Sequence, residues 1–182
     1  MIPKRDRSLR ALTVLSPYDK VVTMAIKIVL ELIYEKHEGL DMMEERRYFN
    51  NFSHGFRPLR GCHSALEVTI TWGLCAWFVK ADIKGCFDNI DQKRLLSILG
   101  ESCQDQMLKD TLYKIFKTPV KDKDKGGPDT SKGIGLPQGN PLSQVLANIY
   151  LNELDWFVND LKEEVNKGTP SNTTTKEWRK AT

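Results

Sequence analysis

Residues 82–91 read DIKGCFDNID, directly after the apolar run WFVKA of residues 77–81. The segment 77–83 is rich in strand formers and bounded by turns, so it predicts a β-strand. Its alternation puts Phe78, Lys80 and Asp82 on one face and Trp77, Val79, Ala81 and Ile83 on the other. A carboxylate at a strand end can project into a cleft, where a hard cation such as Mg²⁺ takes oxygen ligands. The carbonyl of Ile83 could supply a second oxygen. Asp88 and Asp91 are the nearest further carboxylates, but both also stand where a helix begins, and helix capping accounts for them equally well. The stretch therefore reads in two ways: a solvated turn opening a helix, or one half of a metal site.

Working outward, local signals predict helices on both sides. Ser16-Pro17 suits a helix start, Ser as cap and Pro in the first turn. Val21, Val22, Ala25, Ile28, Val29, Leu32 and Ile33 follow at helical spacing, and Gly39 ends the element. Residues 40–60 read as a long loop and 62–73 as a shorter helix. Helices are also predicted over 92–99, stopping at Gly100, and over 104–117, with Met107, Leu108, Thr111, Leu112 and Ile115 on one face. Residues 118–121 and 132–136 form a hairpin in this reading, around the charged loop KDKDKGGPDTS. Pro141 opens the longest helix, 141–165, with Leu142, Leu146, Ile149, Tyr150, Phe157, Val158 and Leu161 on its buried side. The remainder has the polar composition of a disordered tail or linker. The fold class is α/β in the broad sense (α+β, helix-rich).

Composition narrows the function. The 182 residues suffice for one sizeable core or two small lobes, and 40% hydrophobic content fits a globular protein. No apolar run approaches the ~20 residues of a membrane span, and the charged start MIPKRDRSLR does not resemble a signal peptide. These features predict an intracellular protein with no membrane partner. Cys62, Cys75, Cys86 and Cys103 form no C-x-x-C pair, and His37, His54 and His63 give no H-E-x-x-H, so neither zinc nor a disulfide scaffold is indicated. Net charge is only +3, yet the first ten residues carry four basic side chains (Lys4, Arg5, Arg7, Arg10) against one acid. Local basic clusters of this kind suit phosphate ligands.

Three further stretches carry chemistry. GLPQGNPLSQ (135–144) is a Gly-Pro loop before a long helix, and Gln138 within it can donate and accept hydrogen bonds at a base or sugar. A plain loop capped into the helix by Pro141 and Ser143 is the competing reading. In IPKRDRSLR (2–10), Lys4 and Arg10 are spaced to share one face of an extended segment and clamp a polyphosphate. FSHGFRPLRGCHSAL (52–66) offers Arg57 and Arg60 to phosphate, with a structural salt bridge as the alternative for Arg57.

In order and wording, these stretches resemble the reverse transcriptases encoded by group II introns, the intron maturases. IPK…LR…SPYDKVVTMAIKIVLELIYE is similar to the first fingers block, FSHGFRPLRGCHSAL to the second, FVKADIKGCFDNID to the palm block with the first catalytic aspartate, and GLPQGNPLSQVLANIYLNELDWFV to the next palm block. The likeness covers residues 2–161. It implies the fingers and partial palm of a right-hand polymerase, with 1–75 fingers, 76–165 partial palm and 166–182 a polar tail. Asp82 matches the first catalytic, metal-binding aspartate and Ile83 its carbonyl partner. Phe87 matches a steric gate that leaves no room for a 2′-OH. Lys4 and Arg10 match residues that hold the incoming triphosphate, and Gln138 and Gly139 a loop beside the nascent base pair. Arg5, Arg7, Arg57 and Arg60 are the implied RNA contacts.

Two Mg²⁺ ions are the implied cofactors of the complete site, weakly bound by this chain alone. Intron RNA, an RNA template, a DNA primer and deoxynucleotides are the implied partners, in a bacterial cytoplasm or an organelle matrix. A homodimer through exposed palm surface is a further expectation. The sequence departs from the family pattern in Ala11, in Asn140, where a small residue is usual, and in holding no Asp-Asp pair to supply the remaining metal carboxylate. The alternatives are an RNA-binding module without chemistry that braces intron RNA, and a small Mg²⁺-dependent phosphotransferase using Asp82 and Asp88.

Overall fold

The computed structural model describes residues 2–3, 9–10, 13–36, 45–73, 77–117 and 132–167. Two short strands, β1 (Ile2–Pro3) and β2 (Leu9–Arg10), pair antiparallel with Ile2 opposite Arg10. Helices follow at Pro17–Tyr34 (α1), Cys62–Ile70 (α2), Cys86–Asn89 (α3), Gln92–Ser102 (α4), Gln106–Lys117 (α5) and Pro141–Lys167 (α6). Predicted starts lie where capping chemistry puts them. Ser16 Oγ accepts the Asp19 N–H at 3.2 Å, and Asp91 Oδ1 accepts the N–H groups of Lys93 and Arg94 at 2.8 and 3.0 Å.

One core gathers side chains from both sides of residue 76. Leu30 and Tyr34 of α1 and Phe49 meet Leu95, Ile98 and Leu99 of α4, Leu112 and Phe116 of α5, and Leu142, Val145, Leu146 and Ile149 of α6. α1 and α4 both pack on α6. The chain after α1 is locked in by polar bonds to α6: Asn152 Nδ2 donates to the carbonyls of Arg46 and Tyr48 at 3.1 Å, and Trp156 Nε1 donates to Tyr48 at 3.1 Å. A one-turn 3₁₀ helix (Glu45–Arg47) and the buried Tyr48, Phe49 and Asn50 thus stand where a loop is predicted.

Several expectations are corrected. Residues 77–83 form no strand: they are irregular, and Trp77, Phe78 and Val79 are almost fully exposed. Strand-forming residues need a neighbouring strand to pair with, and none adjoins them among the described residues. The hairpin partner expected for residues 132–136, residues 118–121, lies outside the described residues together with the loop between them; within the described residues Ile134 bridges to Asp91. α1 ends at Tyr34 rather than Gly39, α2 stops at Ile70, and α4 runs through Gly100 to Ser102.

The apolar faces also differ from prediction. α1 buries Thr23, Leu30 and Tyr34, with Ile26 and Ile33 partly buried, whereas Val21, Val22, Ile28, Val29 and Leu32 are exposed. On α6, Leu142, Leu146 and Ile149 are buried but Phe157, Val158 and Leu161 are exposed, and on α5 Met107 is exposed. A helix apolar around most of its circumference has more than one surface able to pack, and periodicity does not say which one this chain uses. The polar tail from 168 onward lies outside the described residues.

The two faces of α1 are separable by stability. Leu30→Ala should cost about 2–5 kcal/mol, the range for a buried Leu, and Leu32→Ala under about 1 kcal/mol. Chemical denaturation of the two variants checks this, and equal losses would contradict the assignment of the faces.

Candidate active site

The site is built on the one-turn helix α3. Gly85, at φ +61°, makes the left-handed step from Asp82-Ile83-Lys84 into α3, and a Cβ there would lie 3.0 Å from Asn89 Nδ2. Asn89 Nδ2 donates to the Gly85 carbonyl at 2.9 Å and closes the turn. The loop of residues 133–136 then lies antiparallel beside 87–92. Leu136 N–H donates to the Phe87 carbonyl and Gly135 N–H to that of Ile90, both at 2.7 Å, and Gln92 N–H donates to Gly133 at 3.0 Å. Buried Gln92 adds an Nε2 bond to the Gly135 carbonyl at 2.9 Å. Two stretches some fifty residues apart in sequence, as Asp88 and Gln138 are, thereby become neighbours.

Gln138 is fixed at three points. Its carbonyl accepts the Thr13 N–H at 2.7 Å, its Nε2 donates to Asp88 Oδ1 at 3.1 Å, and Gly139 follows at φ +97°. A Cβ on Gly139 would come within 2.7 Å of the Thr13 carbonyl oxygen, so both space and conformation require glycine here. Asn140, the departure noted in the sequence, is buried and has a local task. Its Oδ1 accepts the Leu142 N–H at 2.9 Å and caps α6. Ser143 is not the cap: its hydroxyl donates to the Pro137 carbonyl at 2.8 Å.

Phe87 is half-buried and meets Phe56 edge to face, with ring centroids 6.3 Å apart. Phe56 sits at φ +56°, an uncommon conformation for an aromatic residue. Its loop is tied to α6 by Asn148 Nδ2, which donates to the Gly55 carbonyl at 2.7 Å.

Asp82 and Ile83 are exposed at the approach to α3. Burial and, second, the negative charge of Asp82 push the Cys86 thiol above its ordinary pKa. An exposed carboxylate with an adjoining carbonyl fits an oxygen-preferring cation in kind. No group of three His, Cys, Asp or Glu side chains gathers among the described residues.

The basic residues divide. Lys4, Arg5 and Arg7 lie outside the described residues, and Arg10 is placed only by its backbone pairing in β2. The structure corrects the role of Arg57, which is buried rather than presented to RNA. Its Nε and Nη2 bond both Glu35 oxygens at 2.8 and 2.6 Å, and its Nη1 donates to the carbonyls of Asn50 and Ser53, both at 2.7 Å. Arg60 bonds the carbonyl and Oδ1 of Asn51 at 2.8 and 2.9 Å and is only partly buried. Burial, and then the positive charges of Arg60 and Arg57, hold His54 below its ordinary pKa.

Sequence reasoning missed Thr13, Phe56, Asp88 and Gln92 as partners of the predicted residues. Only the position of Asp88, next to Phe87, gave any hint.

With this geometry in view, the chain belongs to the reverse transcriptase (RNA-dependent DNA polymerase) family, which it matches over residues 2–167. This is a domain of the right-hand polymerase fold, and its described residues are helix-rich with few strands. It is 38% identical over 172 residues to the group II intron-encoded protein LtrA of Lactococcus lactis subsp. cremoris, covering 94% of this chain and 26% of that protein. It is 39% identical over 165 residues to an uncharacterized 91 kDa protein in a cob intron of Schizosaccharomyces pombe, covering 90% of this chain and 19% of that protein. It is 34% identical over 155 residues to nuclear intron maturase 4, mitochondrial, of Arabidopsis thaliana, covering 85% and 18%. The chain thus spans about a fifth to a quarter of the length of these curated relatives.

A buried, forked ion pair is not interchangeable with a single ammonium. Arg57→Lys is therefore expected to destabilise the protein by about 2–4 kcal/mol, because Lys cannot reach both Glu35 oxygens and the two carbonyls together. Thermal unfolding beside Arg60→Lys, expected to lose under about 1 kcal/mol, checks it.

Proposed function

We propose that the chain forms the fingers (1–75) and the first part of the palm (76–165) of an RNA-directed DNA polymerase that also assists splicing of its intron RNA. The observation that carries this reading is the pairing of the loop leading to Gln138 with the segment that follows Asp82. It supports one site in which Asp82, Phe87 and Gln138 face a common nucleotide. In this reading Asp82 and the Ile83 carbonyl would hold Mg²⁺, which when bound supplies activation of a primer 3′-OH and stabilisation of the leaving pyrophosphate.

Lys4 and Arg10 would grip the triphosphate, with Arg10 opposite Ile2 in the β1–β2 pair. Phe87, braced by Phe56, would lie against the sugar and exclude a 2′-OH. Glycine at 139 keeps the loop thin enough to lie against Thr13, and Gln138 would meet the nascent base pair. Arg5, Arg7 and Arg60 would meet RNA phosphates, while Arg57 shapes the loop that presents Arg60.

The substrates follow from the same reading: an RNA template with a DNA primer and deoxynucleotides, and intron RNA as a second partner. Relatives from a bacterium and from mitochondria support a bacterial cytoplasm or an organelle matrix, and no helix among the described residues is long and apolar enough to cross a membrane. The exposed Trp77, Phe78 and Val79 would offer a surface for a homodimer. A second reading is a maturase module that braces intron RNA without chemistry, in keeping with the lack of a group of three His, Cys, Asp or Glu side chains among the described residues.

Two measurements test these readings. In the full-length protein, Phe87→Ala should weaken discrimination against ribonucleotides by ~1–3 kcal/mol while deoxynucleotide incorporation changes less. Loss of stability and of all activity together, with the ratio unchanged in a folded variant, would make Phe87 an ordinary core aromatic. Separately, the chain should bind RNA with an affinity that falls as salt rises, because phosphate contacts release counterions. Binding that is indifferent to salt would refute the basic-fingers reading.

A further inference from the structure

Gln138 and Asp88 meet at the centre of the site, and their chemistry is asymmetric. The Gln138 backbone has no freedom to spare: Thr13 holds its carbonyl at 2.7 Å, and Gly139 fixes the next step against the Thr13 oxygen. What remains adjustable is the side-chain amide, whose NH₂ and C=O ends are nearly the same shape but opposite in function. An ionised carboxylate only accepts hydrogen bonds. Asp88 Oδ1, 3.1 Å from Nε2, therefore selects one of the two amide orientations, with the NH₂ toward Asp88 and Oε1 turned away from it.

Asp88 is itself held by local structure. It lies in the first turn of α3, its N–H donates to the Gly85 carbonyl at 3.0 Å, and its neighbour Phe87 receives the Leu136 N–H at 2.7 Å. The carboxylate and the amide thus ride on two backbone segments already bonded to each other.

We propose that Asp88 is a positioning residue: it orients Gln138 so that the amide presents its carbonyl oxygen to a hydroxyl or amine donor on the incoming nucleotide. This rests on the polymerase reading and adds a specific task for a carboxylate otherwise explained as a helix-start charge. Asp88→Asn is the discriminating change. It keeps the size and position of the side chain, but its own amide can face Gln138 with either end, so the orientation is no longer imposed. Asp88→Glu keeps an acceptor-only group.

The test has two arms. The first uses this chain. The side-chain amide proton signals of Gln138, assigned with Gln138→Asn, should move upfield in Asp88→Asn and stay near the parent in Asp88→Glu, while the Thr13 backbone amide signal stays in place. Gln138 side-chain signals unmoved in Asp88→Asn would overturn the contact itself. The second arm uses primer extension by the full-length protein. Asp88→Asn should raise KM for deoxynucleotide by roughly three- to tenfold, the factor one hydrogen bond of ordinary net strength carries, with kcat changing less. Asp88→Glu should restore most of the difference. A KM equal to the parent's in Asp88→Asn would overturn the positioning role. A parent that extends no primer would overturn the polymerase reading and this role with it, leaving the first arm to decide the contact alone.

Discussion

The site depends on a few backbone hydrogen bonds between segments distant in sequence. Leu136 and Gly135 donate to Phe87 and Ile90, and the pairing is insulated from water because Ile90, Leu136 and Gln92 are all buried. A backbone bond in such a place is costly to break, since its groups would be left without partners. Everything placed at the site follows from it. α3 presents Phe87 on one side and Asp88 on the other, and the loop brings Gln138 to Asp88 just before Asn140 opens α6. Loop and helix start are therefore one rigid piece with the turn that follows Asp82.

What the sequence made legible was local. The starts of α1, α4 and α6 are written in Ser16-Pro17, Asp91 and Pro141, whose capping chemistry works within three residues. The family resemblance was legible too, because it rests on the wording of whole blocks. What escaped depended on distant partners. Arg57 looks like a phosphate ligand until Glu35, twenty-two positions earlier, is found beside it. Residues 77–83 have strand composition, but a strand exists only with a neighbour to pair with. The faces of α1 were misjudged because nearly its whole circumference is apolar, and only the position of α6 decides that Leu30 is inside and Leu32 outside.

Those errors share a physical origin. An apolar side chain records that a surface can be buried, not that it is. The exposed stripe of α1, the outer side of α6 at Phe157 and Val158, and the run Trp77–Val79 each leave apolar side chains in water. Relatives of which this chain covers only about a fifth to a quarter have ample further chain to set against such surfaces.

Thr13 has a geometric consequence beyond its hydrogen bond. Its N–H is anchored on the Gln138 carbonyl at 2.7 Å, and Arg10 precedes it by only three residues. A chain of three residues reaches at most about 11 Å when fully drawn out. The β1–β2 hairpin is thus on a short leash whose fixed end is the loop preceding α6. The Cα of Arg10 therefore stays within that radius of Thr13, so the β1–β2 pair is kept beside the loop that precedes α6.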